Sequence, residues 1–196
     1  MNRAETRQQM ELEEFRYNQD IKKSLAAKLG LPELNNGLNI IRNEKGLREN
    51  EKKIEYIWIA FVARSFVGWG GIFSIKFEGN NFREYLNPDE LMQGVFTHDN
   101  KGLKDLYTET VQNKSDKIVE MSKFDLFTAV QGNTGHGIHY DFHVITNNIN
   151  TRIKLENPNT EEWKEWEKEI FNIGSRLSFS ANIPELINVF KSDILK

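Results

Sequence analysis

Hydrophobic positions along this 196-residue chain follow different periods in different stretches, and the periods predict its elements. Across residues 4–29, Met10, Leu12, Phe15, Ile21, Leu25 and Leu29 are spaced through a background of Glu, Gln, Lys and Arg, the narrow apolar stripe of a helix. Gly30, Pro32, Asn35, Asn36 and Gly37 interrupt it. An N-terminal helical extension and loop (1–37) is thereby divided from a globular part (38–196), and the helix is expected to swing free or to dock on a partner.

From Tyr56 to Ile75 the chain is apolar for about the length of a bilayer crossing. Arg64 near its centre and the glycines at 68, 70 and 71 argue against a span, so the stretch is expected to be a buried helix ending near Gly68, with no membrane association. Arg64 then needs a carboxylate or several carbonyls as partners, because an unpaired buried charge is strongly destabilising.

Beyond the glycines, Phe73, Ile75 and Phe77 alternate with Ser74, Lys76 and Glu78, which predicts a strand. Leu103, Leu106, Tyr107, Val111, Ile118 and Met121 recur at near-helical spacing, and Phe124–Val130 reads as a short buried strand. Asn159 and Glu162 have capping-box spacing ahead of a helix carrying Trp163, Trp166, Ile170 and Ile173. Gly174 is placed to end that helix and Pro184 to open a last one. The expected fold is a single α+β domain: an antiparallel sheet of four or more strands, including 72–78, 124–131, 137–146 and 149–156, covered by helices on one face.

Residues 137–146 and 149–156 both alternate, and Asn147-Asn148 occupies the place of a two-residue type I′ turn. That register sets His143 opposite Arg152, Asp141 opposite Lys154 and His139 opposite Glu156. One face then carries Ile138, Tyr140, Phe142, Val144, Thr151, Ile153 and Leu155, and the other carries the six polar residues. The plainest expectation for the polar face is a solvated sheet surface with Asp141–Lys154 and His139–Glu156 ion pairs.

Composition bears on what else that face could do. The net charge of -3 lacks the overall basic field of a duplex-DNA binder, and the absence of cysteine excludes disulfide and thiolate chemistry and fits the cytoplasm. Of the four histidines, three fall within residues 136–143. His139, Asp141 and His143 at i, i+2 and i+4 suit a divalent metal, with His98 and Asp99 of THDN as distant ligands. The spacing of Asp141 and Lys154 resembles that of PD-(D/E)xK nucleases, but Arg152 replaces their second acid and no proline precedes Asp141, so membership is not assigned.

The loop QGNTGHG before the hairpin offers Gly135 and Gly137 as phosphate-cradling amides, without the Lys and Ser/Thr of a Walker loop. The expected function is a metal-assisted hydrolase of a phosphodiester or nucleotide. In it His139, Asp141, His143, Lys154 and Glu156 carry catalysis, Arg152 and the two glycines bind substrate, and nucleic acid or a nucleotide is the partner. The alternative is a non-enzymatic accessory or inhibitor that binds a protein, or dimerises, through residues 4–29 and the charged hairpin face.

Overall fold

The computed structural model describes residues 3–79, 89–111, 116–120 and 137–191. Seven strands form one antiparallel sheet: β1 (Gly37–Arg42), β2 (Arg48–Arg64), β3 (Gly68–Glu78), β4 (Glu90–Asp99), β5 (Gly102–Val111), β6 (Ile138–Ile145) and β7 (Asn150–Glu156). Their order is β5-β4-β3-β2-β6-β7, and β1 pairs with the first part of β2 beside β6. Helices α1 (Arg3–Lys28), α2 (Lys117–Glu120), α3 (Glu161–Ala181) and α4 (Pro184–Val189) complete the α+β fold. No helix among the described residues is long and apolar enough to cross a membrane.

The apolar run expected to be a helix is a strand, a tight turn and a second strand. Tyr56–Arg64 is dense in Ile, Val and aromatic residues, and because both faces of β2 are covered its apolar positions do not alternate with polar ones. Tyr56, Trp58, Ala60 and Val62 point into a core layer shared with α3 and α4, whereas Ile57, Ile59 and Phe61 point into a layer shared with α1. Helices therefore cover both faces, where one was expected. The C-terminal half of α1 supplies Ile21, Leu25 and Ala26, all at most 2% exposed, so it docks on its own sheet.

The glycines after the turn continue the sheet instead of ending a helix. At Gly71 a Cβ would run into the Phe96 ring, which lies across the strand there. The near-helical spacing from Leu103 to Val111 likewise belongs to a strand, β5, whose residues are half-buried on both faces; beyond it Lys117–Glu120 is helical, and Met121 lies outside the described residues. The expected strand at 124–131 lies outside the described residues.

In α3 the cap is Thr160, whose hydroxyl accepts from the Trp163 amide, rather than Asn159. Gly174 does not end α3; it gives the Phe190 ring room to lie against the helix, which runs on to a left-handed cap at Asn182. Pro184 opens α4 as expected. Trp163 and Trp166 are core residues at 1% and 0% exposure. Arg64 finds carbonyls: its Nη1 donates to Asn188, Val189 and Lys191 oxygens at 3.2, 2.6 and 3.0 Å, neutralising the C-terminal end of α4.

A second buried anchor ties α2 to the sheet. Tyr56 Oη, Trp58 Nε1 and Ser74 Oγ donate to one oxygen of Asp116 at 3.1, 2.9 and 2.8 Å. Replacing Gly71 with alanine should lower stability by about 1–3 kcal/mol, the usual cost of overpacking a filled core. A drop in the urea midpoint with an unchanged slope is the expected reading; a midpoint equal to wild type would contradict the packing of Phe96 on Gly71.

Candidate functional site: a cleft between the N-terminal helix and the hairpin

The hairpin forms in the expected register, with His139 opposite Glu156, Asp141 opposite Lys154 and His143 opposite Arg152. Its turn differs in kind. Neither Asn147 nor Asn148 adopts positive φ, so the turn is not type I′. The Thr146 hydroxyl instead accepts from the Asn148 and Ile149 amides at 3.2 and 3.0 Å.

Only part of the polar face is solvated: Lys154 and Glu156 remain exposed, whereas helix α1 lies over Asp141 and His143, which are only 6% and 4% exposed. Two adjacent rows on α1 explain the docking: Tyr17, Ile21 and Leu25 at i, i+4 spacing meet the apolar sheet, and Glu14, Asn18 and Lys22 meet the hairpin. Glu14 accepts from Lys154 Nζ at 2.5 Å and Arg152 Nη2 at 3.5 Å, Asn18 Nδ2 donates to Asp141 Oδ2 at 2.5 Å, and Lys22 Nζ sits 3.4 Å from His143 Nδ1.

Asp141 is the centre of this network. Arg152 grips it through Nε, 2.6 Å from Oδ1, and through Nη2 on Oδ2. His143 Nε2 lies 3.0 Å from Oδ1, at an angle short of a well-formed hydrogen bond. Burial alone would push the carboxyl up, but His143 and Arg152 more than offset it and hold Asp141 well below the usual carboxylate range. The expected Asp141–Lys154 pair is therefore replaced by Asp141–Arg152, while His139 and Glu156 do approach, at 3.8 Å.

Beside this network opens a cleft of about 570 Å³. Its floor follows from the cross-strand rows: Trp69, Ala63, His139 and Glu156 lie side by side across β3, β2, β6 and β7, and Phe61, Asp141 and Lys154 form the next row. Ala63 is the small residue in the first row, which leaves the hollow. Glu14, Tyr17 and Asn18 wall it from α1, and His98 and Asn100 close it from the end of β4.

His98 sits among Phe61, Phe96, Trp69 and Tyr17. That burial lowers its pKa to about 4, against a smaller opposing effect of Asp99. Its tautomer follows from one hydroxyl proton. Tyr17 Oη lies 2.5 Å from the Asp99 carbonyl, which can only accept, so the Tyr17 proton is committed there. The 2.8 Å contact between Tyr17 Oη and His98 Nδ1 then requires Nδ1–H to donate. Nε2 keeps its lone pair.

Of the residues expected to act together, His98, His139, Asp141, Lys154 and Glu156 line this cleft; His143 and Arg152 lie in the network behind it, and Asp99 contributes its carbonyl to Tyr17. Among the described residues no three acidic or histidine side chains are grouped as metal ligands. Gly137 N–H donates to Ser65 Oγ at 3.1 Å, away from any phosphate role, while Gly135 and His136 fall outside the described residues. Sequence reasoning missed Tyr17, Trp69 and the row Glu14, Asn18, Lys22; the i, i+4 spacing of that row was the available signal. The chain matches no family model, no curated protein sequence and no solved structure.

Removing one partner of a buried, hydrogen-bonded ion pair leaves the other charge uncompensated, at a cost of about 3–5 kcal/mol. Asp141→Ala should show that loss in chemical denaturation, whereas Glu156→Ala, at a half-exposed pair, should change stability by less than about 1 kcal/mol. Equal effects of the two variants would contradict the central place of Asp141.

Proposed function

We propose that the protein is a hydrolase of a phosphodiester or nucleotide that works by histidine acid–base chemistry in the α1–hairpin cleft. The observation that supports this reading is His98, a neutral imidazole with its Nε2 lone pair uncommitted, opening on the same hollow as His139 and Lys154. The two histidines stand on β4 and β6, three strand spacings or about 14 Å apart at the backbone. That separation leaves room for a phosphoryl group between them.

In this reading His98 Nε2 takes a proton from the attacking water as its oxygen bonds to phosphorus. His139 gives a proton to the departing oxygen as that bond breaks, and Lys154 balances charge on the non-bridging oxygens. Glu14 holds Lys154, and Glu156 lies beside His139, so each is restrained by a neighbour. A divalent ion, the earlier expectation, finds less support: Arg152 and Asn18 already take both Asp141 oxygens.

A base with a pKa near 4 is active over a wide range. The acidic limb of kcat/KM for hydrolysis of a phosphodiester such as bis(p-nitrophenyl) phosphate should lie near pH 4, with His98→Gln and His139→Gln each lowering the rate about 100-fold or more. Full activity in both variants would refute the histidine mechanism, and activity abolished by a chelator would return the site to metal chemistry. The same group makes stability pH-dependent: between about 6.5 and 4 the unfolded chain binds a proton at His98 that the folded protein does not, so stability falls as pH drops through that window.

A second reading, a protein-binding role for the N-terminal helix, is favoured by the exposure of Met10 (64%), Leu12 (47%) and Phe15 (40%). Its docked half is already covered, so only the first turns are available to a partner or to a second copy. Light scattering of wild type and of a Met10→Glu/Leu12→Glu variant tests it: a dimer that becomes a monomer supports self-association through these turns, and identical monomer masses count against it.

A further inference from the structure

Trp69 is at odds with the other tryptophans. Trp58, Trp163 and Trp166 are at most 1% exposed, whereas Trp69 is 60% exposed at the mouth of the cleft. Its ring runs nearly parallel to His98, with an interplanar angle of 19° and centroids 6.3 Å apart. A large aromatic side chain left in water loses the apolar burial that usually holds one in place.

The turn beside it is built at a conformational cost. Phe66 adopts φ 64°, a left-handed conformation that bulky residues rarely take, and the turn presents its ring at 92% exposure. Val67, at 41%, extends the same apolar tip. Trp69 is two positions from His139 in the row that runs through Ala63, about 9.6 Å at the backbone.

We propose that Trp69 is a stacking platform for a nucleobase whose attached phosphodiester reaches the His98–His139 pair. This specifies the substrate of the reading above and rests on it. Stacking suits an exposed indole because every base offers a π-face, and it adds affinity without requiring a basic field, which this acidic-rimmed cleft lacks. Asn100 supplies both donors and acceptors to base edges, and Glu14 and Glu156 at the rim accept from exocyclic amines or ribose hydroxyls. A bare phosphate offers none of these contacts.

The exposed indole gives a direct readout, because the other three tryptophans are shielded. Red-edge tryptophan fluorescence is followed while adenosine 5′-monophosphate, a short oligoadenylate or ribose 5-phosphate is added, and affinity is measured by calorimetry for wild type and Trp69→Ala. Saturable quenching by the two base-bearing probes and not by ribose 5-phosphate is expected, with about 5- to 150-fold weaker binding in Trp69→Ala. Tighter binding of the oligoadenylate identifies a strand as the ligand, and tighter binding of the monophosphate identifies a free nucleotide.

Absence of quenching by both base-bearing probes, equal quenching by ribose 5-phosphate, or unchanged affinity in Trp69→Ala would each overturn the platform. Its fate is separable from that of the hydrolase: quenching without hydrolysis keeps the base site and removes the reaction, whereas hydrolysis of the oligoadenylate with unchanged affinity in Trp69→Ala removes the base site alone.

Discussion

A strand with no wet side must be covered twice, and β2 imposes that requirement on this molecule. Its second half pairs with β3 on one edge and β6 on the other, so every backbone group there is committed to the sheet. Its side chains then demand apolar cover above and below. Helices α3 and α4 answer on one face through Trp163, Trp166, Leu177 and Phe190, and α1 answers on the other through Ile21 and Leu25. The two-sided architecture follows from that one strand, and so does the position of α1.

Apolar cover fixes α1 over β2, but its next row of side chains then falls on the charged face of β6 and β7. A buried carboxylate at that junction is tolerated only because it is fully partnered, and Arg152 and Asn18 reach Asp141 from two different elements. This network sets how far α1 can approach. Beside it, over Ala63, a hollow remains that collects His98, His139 and Lys154. In the proposed reading the chemistry thus uses residues that the stabilising network does not saturate.

Much of the hairpin was legible because period-two alternation and a two-residue break leave one register that keeps the apolar face inward. The run from Tyr56 to Ile75 was not, since an unbroken apolar stretch has no period to read; its β-branched and aromatic residues were the better guide. Residues 103–111 misled for a related reason: a strand buried in part on both faces imitates helical spacing. The candidate site was half legible. Its hairpin residues could be named, but their cover by α1 and the pairing of His98 with Tyr17 are long-range facts, separated by 81 residues or more. Even the complementary order of Glu14, Asn18 and Lys22 gains meaning only once Asp141 and Arg152 are known to lie beneath it.

The proposed chemistry depends on His98 as a neutral base with a free Nε2, held by Tyr17 at the wall of the cleft. Nitrogen-15 NMR of the histidine rings across a pH titration measures this directly, with His98→Gln supplying the assignment. The Nδ1–H tautomer at neutral pH and protonation near pH 4 are expected. An Nε2–H tautomer, or a midpoint at the ordinary value near 6.5, would contradict this.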